Sequence, residues 1–69
     1  MQVLTRNALK GTVKHISLGR VNAEVTLEIV PGVEITAVIT RITAERLGLE
    51  EGKSAYAIVK PSEVEITLG

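Results

Sequence analysis

The sequence predicts an all-β fold with one short helix, and three observations carry that prediction. Twenty-three of the 69 residues are Val, Ile or Thr, side chains that suit a pleated, half-buried sheet. Apolar and polar residues alternate with period two through most of the chain, as strands with one wet face require. The one segment with helix-terminus signals lies near residues 42–48, between two groups of strands.

The first strand spans residues 9–16. Leu9, Gly11 and Val13 share a phase, whereas Ile16 and Leu18 fall out of it. An extra residue near Lys14 and His15 would restore the apolar face. Gly19 marks the turn into the clearest strand, residues 21–29. There Val21, Ala23, Val25, Leu27 and Ile29 face one way and Asn22, Glu24, Thr26 and Glu28 the other. Pro31 and Gly32 form a turn, and Val33, Ile35, Ala37 and Ile39 alternate again, which completes a hairpin. Thr43 is the expected N-cap of the helix, its hydroxyl accepting a first-turn amide. Glu45 is expected near the positive end of the helix dipole. Ile42 and Leu47 are expected to form a hydrophobic staple, with Gly48 as the left-handed terminator. Residues 49–53 turn back into sheet. Residues 55–60 alternate two mostly apolar sets, which predicts a strand buried on both faces and a core or interface role for Tyr56. Pro61 and Ser62 interrupt it, and Val64, Ile66 and Leu68 predict a final strand. Residues 2–6 are compatible with a further short extended piece.

Three strands, a short helix, then two strands is the order of a five-stranded OB-like barrel with Greek-key connections. No internal repeat, linker or low-complexity stretch divides the chain, so residues 1–69 are expected to form a single domain. A core of this size is marginal alone, and no cysteine is present to staple it. The high apolar fraction, 45%, is most simply buried against further copies of the chain.

Composition disfavours several functions. The net charge is zero, unlike the basic excess of a general nucleic-acid binder. Single-stranded binding on an OB barrel also uses aromatic platforms, and Tyr56 is the only aromatic residue. No apolar run is long enough to span a bilayer, and no signal-peptide h-region opens the chain, so a cytoplasmic protein is expected, with no membrane partner. With one His, no Cys and no Asp, a nucleophile–base–orienter set is absent and an enzyme is not expected. The acidic residues are all Glu and are scattered on strand faces and turns, without the clustered oxygens a calcium ion needs. No cofactor is expected.

What remains is a set of hydrogen-bond donors: Thr5, Arg6 and Asn7 at the opening, Thr40 and Thr43 around the helix start, Arg46 on the helix, and Lys60 and Ser62 on either side of Pro61 at the late strand break. A tetrahedral dianion is held by such groups, with carboxylates kept away. Spacing alone leaves this reading open beside the plainer one of caps and surface charges.

The segment at residues 6–13, RNALKGTV, resembles the opening motif of the molbindins, the small molybdate-binding Mop proteins built on a TOBE domain. The likeness continues through residues 21–29, VNAEVTLEI, residues 35–40, ITAVIT, the Leu47-Gly48-Leu49 helix end, and residues 51–60, EGKSAYAIVK. It covers the chain end to end. The resemblance implies an OB-like barrel assembled as a homohexamer, a trimer of dimers, with molybdate or tungstate held between subunits for intracellular molybdenum storage or homeostasis. It implies an oxyanion site from Thr5, Arg6, Lys60, Pro61, Ser62, Thr40, Thr43 and Arg46. A second site would use the turn of Gly19, Arg20, Val21 and Asn22. Two positions depart from the family pattern. Leu4 stands where the motif has serine, with the hydroxyl moved to Thr5, which on an extended strand is the opposite face. Pro61 follows Lys60 and has no N–H to give. The alternative function for such a barrel is a nucleic-acid or protein-interaction module.

Overall fold

The computed structural model describes residues 7–69, so the expectations for residues 2–6 lie outside the described residues. The elements are β1 (Ala8–Leu18), β2 (Asn22–Val30), β3 (Val33–Thr40), α1 (Arg41–Leu47), β4 (Ser54–Ile58) and a 3-10 turn (Pro61–Glu63). The strands form one antiparallel sheet of order β3-β2-β1-β4. The fold is an OB-like curled sheet with its short helix between the third and fourth strands, as the sequence order predicts.

The first strand organises the sheet. Its first half, from Ala8 to Thr12, pairs with β4, and its second half, from Thr12 to Leu18, pairs with β2. The register slips between Val13 and His15, so the expected bulge falls at Lys14. It lets Val13 and Ile16 both pack in the core. Gly11 sits where the strand changes partner. A Cβ there would lie 2.8 Å from the Glu28 carbonyl oxygen and 2.9 Å from Ile29 Cδ1, so the curl of the sheet requires the missing side chain.

The core is small. Val13, Val25 and Leu27 form its centre, with Ile16, Ile29, Ile39, Leu49, Ala55 and Ala57 packed around them. Ala23 and Ala44 are also buried. Val21, placed by periodicity in the inward set, is instead exposed in the turn before β2. At the β2–β3 turn, Pro31 precedes Gly32 at φ 84°, a left-handed position that glycine adopts without strain.

The helix begins earlier than predicted. Thr40, not Thr43, is the N-cap, and its side chain accepts the Thr43 amide. Helix numbering therefore shifts by three: Glu45 falls beyond the first turn, which holds no acidic residue. The expected staple also dissolves, because Ile42 and Leu47 are both exposed. Gly48 does end the helix, at φ 65° and ψ 36°, and Lys53 Nζ donates to its carbonyl at 3.1 Å.

Two expectations about the last third change. In β4 only Ala55 and Ala57 are half-buried, while Tyr56 and Ile58 are exposed, so one face, not two, is covered within the chain. Residues 64–69 pair with no strand among the described residues, which gives four strands in place of five. Ile66 and Leu68 are 93% and 97% exposed, so the apolar alternation read as a strand finds nothing to pack on among the described residues.

Candidate functional site

The predicted donors gather at the two ends of β1. At its start, Ala8 pairs with Ile58, and the Val59 amide donates to the Asn7 carbonyl at 2.7 Å. Asn7 and Ala8 are thereby held beside the segment that leads into Lys60. Asn7 has φ 56°, a left-handed conformation that asparagine tolerates better than most side chains. Lys60 is exposed and precedes the 3-10 turn, in which the Glu63 amide donates to the Lys60 carbonyl at 2.9 Å. Pro61 and Ser62 are exposed in that turn. Thr5 and Arg6 lie outside the described residues.

At the far end of β1, the turn of Gly19, Arg20, Val21 and Asn22 meets the start of α1. Asn22 is paired with Thr40 across β2 and β3, and the Arg41 amide donates to the Val21 carbonyl at 2.8 Å. The turn is closed by the Gly19 amide on the Asn22 carbonyl, 2.8 Å. A Cβ on Gly19 would approach that same oxygen to 2.8 Å. Neither the Arg20 nor the Val21 amide donates to a backbone carbonyl of the described residues. Thr40 and Thr43 share a 2.8 Å hydrogen bond between hydroxyls. Arg46 is exposed in the last helical turn, about one turn along the axis from Thr43.

Within one chain the structure brings some of the predicted site residues together and sets others apart. The turn at residues 19–22 and the Thr40–Thr43 pair form one neighbourhood. Lys60, Pro61 and Ser62 stand at the other end of an eleven-residue strand, on the order of 30 Å away at the usual rise per residue. No four-oxygen anion can touch both groups within one chain.

Sequence reasoning missed Arg41. Its Nε donates to Glu45 Oε2 at 3.0 Å and its Nη1 to the Gly19 carbonyl at 3.1 Å. The Arg–Glu spacing of four was visible in the sequence, but the contact with Gly19, 22 residues away, was not.

Lys14 and His15 also face carboxylates. Lys14 reaches Glu28 at 3.2 Å and Glu34 at 3.6 Å, and the hydrogen bond and charge of Glu28, with the charge of Glu34, hold its ammonium above the usual lysine range. His15 lies 3.8 Å from Glu51. Among the described residues, no group of three His or Glu side chains could hold a metal ion, and no helix is long and apolar enough to cross a membrane. A cleft of about 370 Å³ opens between β3 and β4, lined by apolar residues such as Leu27, Ile35, Ile39 and Leu49, with Ser54 and Tyr56 the polar residues of its lining.

The TOBE domain family matches residues 5–66. Molybdenum-pterin-binding protein 2 of Clostridium pasteurianum is 44% identical over 96% of this chain and 97% of its own length. MopA of Rhodobacter capsulatus, also a molybdenum-pterin-binding protein, is 42% identical, but this chain spans only 26% of its length. Among solved structures, MopII from Clostridium pasteurianum superposes with a TM-score of 0.88 at 42% identity, covering 97% of this chain and 100% of that one. A molybdate binding protein from Sporomusa ovata gives 0.86 at 35% identity, with 99% and 100% covered. With the family matched almost end to end and the fold superposed over nearly every residue, the chain belongs to the TOBE domain family, among the Mop proteins.

Proposed function

We propose that the protein binds molybdate or tungstate at contacts between its own copies and serves intracellular molybdenum storage or homeostasis, as a binding protein and not an enzyme. The observation that carries this reading is the near full-length likeness to a molybdate binding protein. The distribution of donors agrees with it. Lys60 with Asn7, and the 19–22 turn with Thr43, lie at opposite ends of β1. Each end offers only part of a cage, and a symmetric contact would multiply it.

The exposed apolar surface supports association. Val38, Ile42, Leu47, Tyr56, Ile58, Ile66 and Leu68 are all exposed, large apolar side chains that contacts between copies would cover. In this reading residues 1–69 form one domain of a homo-oligomer, a hexameric trimer of dimers by the family resemblance, located in the cytoplasm. Arg6 and Lys60, with Thr5 and Ser62, serve the outer oxyanion sites, where Pro61 withholds an amide. The 19–22 turn, with Thr40, Thr43 and Arg46 nearby, serves an inner one.

Selection follows from proton inventory and size. Molybdate and tungstate are unprotonated dianions at neutral pH. Hydrogen phosphate keeps a proton that a donor-only site leaves without an acceptor, at a cost of roughly 1–3 kcal/mol. Sulfate has no such proton, so a rigid cavity sized for the larger anion must exclude it. The names of several relatives include a pterin, but the cleft between β3 and β4 supplies only Ser54 and Tyr56 as polar side chains. Few side-chain partners would meet the ring donors and acceptors of a pterin there.

Calorimetric titration with molybdate, tungstate, sulfate and a short oligonucleotide, beside a mass measurement in solution, tests the proposal. Saturable uptake of the metal oxyanions by an oligomer is expected. Saturable binding of the oligonucleotide alone, or a lone chain at all concentrations, would overturn it.

A further inference from the structure

We propose that Arg41 is a positioning residue for the anion site at the 19–22 turn; this rests on the oxyanion-binding reading above. Three interactions converge on it. Its amide donates to the Val21 carbonyl at 2.8 Å, its Nη1 to the Gly19 carbonyl at 3.1 Å, and its Nε to Glu45 at 3.0 Å. Two carbonyls of the turn are thus drawn toward one residue, while the Arg20 and Val21 amides donate to no backbone carbonyl of the described residues. Carbonyl oxygens would repel a bound dianion, whereas the amides would attract it. Arg41 takes up the former and leaves the latter to the ligand.

The same geometry argues against Arg41 as a ligand itself. Its charge is matched by Glu45, and two edges of its guanidinium are occupied. The same guanidinium also neutralises the Glu45 carboxylate. A lysine cannot reproduce this, because the fork of arginine spans a carboxylate and a carbonyl together while an ammonium is a single point charge. Gly19 is the complementary half of the device. Any side chain there would press on the Asn22 carbonyl and shift the turn that Arg41 grips.

Molybdate titration of wild type, Arg41→Ala, Arg41→Lys and Glu45→Gln tests the role, followed by calorimetry and by the backbone amide resonances of Arg20, Val21 and Asn22. In wild type those amides shift on saturation. In Arg41→Ala the binding they report is expected to weaken about tenfold, the scale of one charge-assisted hydrogen bond, while binding reported near Lys60 is unchanged. Arg41→Lys is expected to recover less than half of the loss, and Glu45→Gln to weaken the response less than Arg41→Ala. Wild-type binding with an unaltered response in Arg41→Ala, or full recovery in Arg41→Lys, would overturn the positioning role alone. No molybdate response in wild type would overturn the functional reading, and the role with it. Should Arg41→Ala fail to fold, the Arg41→Lys comparison still decides.

Discussion

The Thr40 hydroxyl accepts the Thr43 amide at 3.1 Å and donates its own proton to Thr43 Oγ1 at 2.8 Å. Both functions of the first hydroxyl are therefore committed to the helix. The proton of the second is not, because Thr43 Oγ1 acts as an acceptor in the pair. Thr40 is structural and Thr43 is the member able to donate outward.

That division predicts different phenotypes. Thr40→Ala removes the cap and is expected to destabilise by about 1 kcal/mol, a fall in melting midpoint of about 4–8 °C for a domain of this size. Thr43→Ala keeps the cap acceptor and is expected to lower the midpoint by less than half as much, while weakening molybdate binding at the turn. Thermal melts beside calorimetry check both. Equal midpoints for the two variants would show that the cap is not worth what the geometry implies.

Gly11→Ala is expected to be among the more damaging small substitutions. The added Cβ would meet a backbone oxygen at 2.8 Å and Ile29 Cδ1 at 2.9 Å, and backbone cannot swing aside as a side-chain tip can. A loss of about 1–3 kcal/mol is expected, read as a lowered denaturation midpoint. Gly32→Ala meets no atom within 4 Å, and its penalty comes only from the left-handed backbone, about 1–2 kcal/mol. The two glycines look alike in sequence, yet one is required by close approach and the other by conformation.

The strands of the hairpin were legible because period two is a local property, and so was the bulge, since Ile16 and Leu18 break phase at a definite place. Gly48 was legible for the same reason. The helix start was not, because Thr40 and Thr43 both fit a cap. The choice is made by β3, which runs up to Thr40 and leaves it extended, at φ −72° and ψ 151°. The fifth strand failed for a different cause: residues 64–68 carry strand alternation, but a strand needs a partner edge, and pattern alone does not supply one. The site residues were legible as residue types. Their grouping depended on which end of β1 each reaches, a property of pairing register, and Arg41 became visible only through its long-range contact with Gly19.

The raised pKa of Lys14 gives an alkaline prediction. Its ammonium is favoured in the folded chain by Glu28 first and Glu34 second. A base whose folded pKa lies above its unfolded value binds the extra proton in the native state. The stabilisation is complete below the ordinary lysine range and is lost as pH rises through the elevated folded value. Melting midpoints are therefore expected to fall in strong alkali more steeply for wild type than for Lys14→Met. The side chains are exposed, so added salt should shrink the difference. Identical alkaline profiles would remove the Lys14 contacts with Glu28 and Glu34 from any account of stability.

The uncovered face of β4 leads to the last prediction. Tyr56 and Ile58 project from the side opposite Ala55 and Ala57 and are exposed, on a strand paired to β1 and to no other described strand. If the proposed contact between copies covers this face, Ile58→Glu would bury a carboxylate without a partner, which strongly opposes assembly. The variant is expected to run at a lower mass than wild type while keeping its β-sheet circular dichroism. Because a ligand that binds only the folded assembly stabilises it, by about 2.7 kcal/mol at a hundred times its Kd, molybdate should raise the wild-type melting midpoint and leave that of Ile58→Glu nearly fixed. A dissociated variant that still gains stability from molybdate would place the anion within a single chain, which the separation of Lys60 from Thr43 along β1 does not allow for a site shared by both.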